Sequence, residues 1–182
     1  MRLFISWSGG RSHRLAIVLK QWLETPFSEH GISVFVSSDI KKGSMWLPAV
    51  NAELQRADAG LVCLTAQSLN SDWMLFEAGT LSTAVAVRTG EARIFTYLLW
   101  VDPAGLPGPL SVYQSTVATT DDTLRLINSL LGYLKLDHMG TVAFAPAWDD
   151  LWPRLQRIEN EPVTGIFPAL ASLFDSKTFT SQ

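Results

Sequence analysis

The sequence is poor in the groups that usually support covalent or metal-centred chemistry. Its one cysteine, Cys63, excludes an internal disulfide framework and fits a reducing compartment. Its three histidines, His13, His30 and His138, stand far apart without metal-ligand spacing, so no metal site is expected. Lys and Arg number 14 against 17 Asp and Glu and are scattered, which argues against direct nucleic-acid binding. Long apolar runs are missing as well. The longest candidate, Ile94 to Val101, is interrupted by Thr96 and ends at Asp102-Pro103. That is far short of the roughly 20 residues a membrane-crossing helix needs. The opening MRLFISWSGG loses its apolar run to Ser and Gly almost at once, unlike a secretory leader. The expectation is a cytoplasmic protein with no membrane segment.

What is present suits a globular domain. Hydrophobic residues make up 47% and charged residues 17% of 182 positions, enough apolar material for a core in one domain. Short apolar stretches alternate with helical periodicities. Strands are expected at Leu3 to Trp7, Ile32 to Val36, Ala59 to Thr65, Ala92 to Val101 and Ser115 to Ala118. Helices are expected at Ser12 to Leu23, Trp46 to Arg56, Ser71 to Val87 and Thr120 to Leu134. A last helix is expected from near Asp150, capped by Asp149 or Asp150, with Pro153 in its first turn. The strands lack period-two alternation, as in a parallel sheet covered on both faces, so the fold class is α/β. Cys63 falls mid-strand and reads as core. Trp148 and Trp152 fall at the expected start of the last helix and read as packing on the sheet.

In an open α/β sheet, ligands bind beyond the carboxyl ends of the strands, where strand order reverses. With the first strand central, the bordering loops are SWSGGRSH and LTAQSLNSDW. In the first, Ser8, Gly9 and Gly10 precede a helix. They form either an ordinary strand-to-helix turn or an anion site built from free backbone N–H groups. After the second comes SDWMLFEAGTL, an amphipathic helix with a carboxylate in its apolar company. Trp73 and Glu77 are four apart and share a face, with Met74 and Leu81 close by. An unpaired buried carboxylate is costly or has a raised pKa. Glu77 therefore either pairs with an arginine or caps a loop, or it is a functional group. Its position at the rim of the expected crevice favours the second reading. Ser8 has no His and Asp companions in a recognisable arrangement, which disfavours a serine hydrolase.

Three stretches, FISWSG, SSDIKKGSMW and WMLFEAG, in this order and spacing, resemble bacterial Toll/interleukin-1 receptor (TIR) domains of the NAD-cleaving type. The likeness runs from Met1 to about Asn160 and leaves residues 161–182 as a C-terminal tail or linker. The resemblance implies a flavodoxin-like parallel sheet of order 2-1-3-4-5 with helices on both faces. It also implies an NAD+ glycohydrolase or cyclase that breaks the nicotinamide–ribose bond, giving nicotinamide with ADP-ribose or a cyclic ADP-ribose isomer. Trp73 and Glu77 match the family's W-x-x-x-E pattern, so Glu77 carries over as the catalytic residue. Ser38 to Trp46 corresponds to the BB loop, through which members self-associate. Where receptor and plant members often have a longer acidic start, this chain has Ser-Trp-Ser-Gly.

NAD+ would be the substrate, with no further cofactor. Ser8, Gly9, Arg11, Trp46 and Trp73 are its candidate contacts. The two tryptophans would stack on a ring, or else pack in the core or an interface. Arg11 and Lys41 would meet the pyrophosphate, or else remain solvated. The resemblance further implies activation by self-assembly in bacterial antiviral defence, with an activating or effector protein as partner. Two alternatives remain open: a non-enzymatic TIR–TIR adaptor, and a nucleoside deoxyribosyltransferase using its Glu as a covalent nucleophile.

Overall fold

The computed structural model describes residues 1–27, 31–39, 50, 52–69, 72–91, 93–106 and 108–160; the side chains of 26, 27, 72–78, 80, 109 and 160 lie outside that description. Five strands are described: β1 (Arg2–Trp7), β2 (Ser33–Val36), β3 (Ala59–Leu64), β4 (Ile94–Leu98) and β5 (Ser115–Val117). All pair in parallel in the order β2-β1-β3-β4-β5. Five bounded α-helices are described among these residues: α1 (Gly10–Phe27), α2 (Asp72–Thr89), α3 (Gly108–Ser111), α4 (Thr120–Tyr133) and α5 (Thr141–Asn160). This is the flavodoxin-like α/β arrangement expected from the sequence.

The central strand explains the layering. All six residues of β3, AGLVCL, are buried, because both faces of the sheet are covered. Successive side chains of a strand point to opposite faces. Ala59, Leu61 and Cys63 join a core built with Leu15, Leu19 and Trp22 of α1, Ile127 and Leu130 of α4, and Phe144 and Leu155 of α5. Val62 and Leu64 join the opposite core with Leu54, Leu81 and Val85 of α2, and Leu110 of α3. Cys63 is fully buried, as its position suggested. Tyr97 on β4, also fully buried, keeps its hydroxyl within 2.9 Å of Thr123 Oγ1 on α4, so the polar end of the ring has a partner.

α2 sits unusually close to the sheet. A Cβ on Gly60 would fall 2.3 Å from Leu81 Cδ2 and 2.8 Å from Ile94 Cδ1. Only a residue without a side chain lets Leu81 seat there, and Leu81 lies one turn beyond Glu77. The start of α4 is also built locally. Thr119 is its N-cap and accepts the Asp122 N–H. The Asp122 carboxylate in turn accepts the Val117 N–H at 2.9 Å, which fixes β5 against the helix.

The largest departure from the sequence reading is α5. It begins at Thr141 rather than near Asp150, and neither Asp149 nor Asp150 caps it. Pro146 and Pro153 both lie inside it. Proline removes the N–H that would bond the carbonyl four residues back, here the carbonyls of Val142 and Asp149. Both of those residues are exposed, so water can serve their carbonyls. Trp148 and Trp152 consequently fall mid-helix. They stack on each other at 5.4 Å, half-buried against the α1 face of the sheet. The α1 face is pinned further by Trp22, whose indole N–H donates to the Ala147 carbonyl at 2.8 Å. α1 itself begins two residues earlier and ends four later than the periodicity suggested. The helix expected from Trp46 to Arg56 is described only in part, where 50 and 52–54 are helical.

Candidate functional site at the carboxyl edge of the sheet

The strand order reverses between β1 and β3, where α1 leaves to one face and α2 to the other. Trp7 pairs with Cys63 at the carboxyl ends of these two strands. The two loops named from the sequence are therefore neighbours. In the first, Gly9 takes a φ of +86°, a left-handed conformation that suits glycine. It lets the chain turn straight from β1 into α1, whose first bond runs from His13 N–H to the Gly9 carbonyl at 3.0 Å.

A residue missed in the sequence organises this turn. Ser12 is fully buried; its hydroxyl donates to the Cys63 carbonyl at 2.6 Å and accepts the Ser8 N–H at 3.2 Å. The turn is thereby tied to the end of β3. The Ser8 N–H is engaged in doing so, which leaves anion binding to the N–H groups of the first helical turn. A serine at the third helical position was the available signal, but it looked like any other first-turn serine.

Polar atoms without partners collect here. Trp7 Nε1, Arg11 Nε, His13 Nε2 and Thr65 Oγ1 are buried without a hydrogen-bond partner among the described residues. Buried polar groups are normally paired, so these exceptions make the rim a candidate ligand site. His13 and Trp7 pack ring on ring, 4.1 Å between centroids. Burial lowers the His13 pKa, Arg14 lowers it further, and Asp39 opposes the shift. Thr65 opens the loop after β3, where Ser68 folds back: its hydroxyl accepts the Thr65 N–H and donates to the Thr65 carbonyl, both at 2.9 Å.

The backbone of α2 starts from this loop and carries Trp73 and Glu77 in its first two turns. Their side chains lie outside the described residues, as do Trp46, Lys41 and most of the Ser38 to Trp46 loop. The root of that loop is described. Asp39 accepts the Val36 N–H at 2.9 Å and pairs with Lys20 of α1 at 2.8 Å. Among the candidate contacts, Ser8, Gly9 and Arg11 thus share one turn at the reversal point. Among the described residues no cluster of three His, Cys, Asp or Glu could hold a metal, and no helix is long and apolar enough to cross a membrane.

Sheet order and layering define a doubly wound α/β domain, with the candidate site at its carboxyl edge. The sequence model of one family, the TIR domain, matches residues 3–128. The chain belongs to the TIR domain family. That family includes NAD-cleaving enzymes and non-enzymatic adaptors, and its members commonly self-associate. No curated protein matches the sequence significantly.

Proposed function

We propose that this domain cleaves NAD+ at the nicotinamide–ribose bond, with Glu77 as the catalytic group. The observation that carries the reading is positional. The backbone of α2, whose second turn carries Glu77, follows β3 at the reversal point, where open α/β sheets bind ligands. The β1–α1 turn offers first-turn N–H groups and Arg11 to a pyrophosphate.

The chemistry needs little more. The leaving group is a pyridinium, already positive, and departs as neutral nicotinamide without protonation. This differs from O-glycoside hydrolysis, where one of two carboxylates acts as acid. A single carboxylate suffices to hold the ribose hydroxyls and to stabilise the oxocarbenium-like transition state by its charge. Attack by water gives ADP-ribose; attack by a group of the same molecule gives a cyclic isomer. Trp73, and Trp46 from the BB-like loop, are the proposed stacking surfaces. Self-assembly through the Ser38 to Trp46 loop would complete the site and switch it on, in a role in antiviral defence with a further activating or effector protein.

Incubating the purified protein with NAD+ and resolving nicotinamide, ADP-ribose and cyclic products by mass tests this reading. Nicotinamide release is the expected result. No release at any protein concentration, crowded or dilute, would leave the adaptor role that the same family also supports.

A further inference from the structure

α5 returns the chain to the carboxyl edge of the sheet. Its last turn, at Ile158 and Glu159, lines an open cleft of about 70 Å³ together with Arg11, Thr65, Leu99 and Trp100. This exit is held in place. Leu151, Leu155 and Ile158 are buried, and the Trp22 indole N–H donates to the Ala147 carbonyl at 2.8 Å. α5 follows the residues matched by the family model, 3–128, so the exit is read from this chain's own fold. The cleft offers two kinds of contact. Leu99, Ile158 and the Trp100 indole, 44% exposed, give it an apolar wall. Thr65 is only 4% exposed, and neither its hydroxyl nor Arg11 Nε has a hydrogen-bond partner among the described residues. A peptide supplies both complements, since it carries apolar side chains for the wall and backbone carbonyls that accept from an O–H and an N–H.

We propose that this cleft is the docking surface for the chain's own residues 165–174, GIFPALASLF, and that this segment has to leave before a nucleotide reaches the β1–α1 turn. The segment carries Ile166, Phe167, Leu170, Leu173 and Phe174 and no charge. It is far shorter than the roughly 20 residues that span a bilayer, so a protein surface is what takes its side chains out of water. Phe167 follows Glu159 by eight residues, a reach of up to about 28 Å, and Glu159 is itself part of the cleft wall. A tether this short holds the segment at an effective concentration in the millimolar range, which favours it over the same segment of a second copy. The cleft volume suits one large side chain of a segment and is too small for a second domain. Arg11 belongs to both the cleft and the first turn of α1. The docked segment therefore covers a group proposed to meet the pyrophosphate. Docking stands without the NAD+ reading; its effect on turnover rests on that reading.

Cys63 is fully buried and stays out of thiol chemistry, so introduced cysteines report cleanly. In the full chain, Gln67→Cys at the cleft is combined with Ala169→Cys or Ala171→Cys inside the segment, or with Ser176→Cys or Thr180→Cys beyond it. Disulfide formation is then followed under mild oxidation. The inner pairs close at least about tenfold faster than the outer pairs, whereas the length dependence of an undocked tether gives at most about threefold. Trp100→Ala and, separately, Phe167→Asp each bring the ratio down to about threefold, and the second variant keeps the result readable if the first unfolds. In turnover, Phe167→Asp lowers KM for NAD+ by about tenfold with kcat nearly unchanged, because the ligand no longer displaces the segment. Fast inner pairs that depend on Trp100, without any NAD+ cleavage, sustain the docking and remove the enzymatic reading. NAD+ cleavage with no preference for the inner pairs and an unchanged KM removes the docking and leaves the enzyme. Disulfides formed only between two chains overturn the proposal.

Discussion

The Ser12 hydroxyl joins the β1–α1 turn to the end of β3 through two hydrogen bonds, one given and one received. Ser12→Ala removes both bonds, and should cost about 1–3 kcal/mol of stability by urea denaturation. A loss under about 0.5 kcal/mol would mean the turn holds without it. His13 beside it sets a pH dependence. Its folded-state pKa lies below the ordinary 6.5, chiefly because of burial, so the unfolded chain takes up a proton more readily. The stability it contributes is complete above pH 6.5 and is lost as pH falls through the folded-state value. Denaturation midpoints measured at about pH 7.5 and about pH 5.5 should fall less in His13→Gln than in the wild type. At this scale the sequence singles out Glu77 as a candidate, because its charge conflicts with its apolar neighbours. It could not reveal Ser12 or Thr65, because a polar residue's importance there comes from burial created by distant strands.

Among the elements, α2 matters most to the proposed function, since it carries Trp73 and Glu77. Its seat is the bare backbone of Gly60 under Leu81. The groups a new Cβ would strike are side-chain ends, but Leu81 is fully buried and Ile94 nearly so, leaving little room to yield. Gly60→Ala should destabilise by about 1–3 kcal/mol. Adding Leu81→Ala should recover part of that loss, so that the double variant costs less than the sum of the single ones. Strict additivity by denaturation would show that the close approach is not the constraint. α2 itself was legible from its periodicity within a residue or two at either end. α5 was legible only in its second half. Leu151, Leu155 and Ile158 announce a buried stripe, whereas the two prolines and the weakly apolar TVAFA argue against a helix that tertiary packing around Phe144 nevertheless sustains.

For the whole molecule, alternating short apolar strands and helices were enough to read a parallel sheet, because both-face burial leaves strands without polar alternation. The order 2-1-3-4-5 came from the resemblance, since strand pairing between distant segments leaves no local mark. Self-assembly also belongs to this scale. If the site is completed between copies, specific activity should rise with protein concentration over a wide dilution series; a constant value would show that one copy is sufficient. The central claim, that the Glu77 carboxylate carries NAD+ cleavage, is tested most directly by nicotinamide release from wild type and Glu77→Gln side by side at high protein concentration. Glutamine keeps the shape and removes the charge. The account predicts release by the wild type and a loss of at least about 100-fold in the variant, with an unchanged melting temperature. Equal release by both proteins would contradict it.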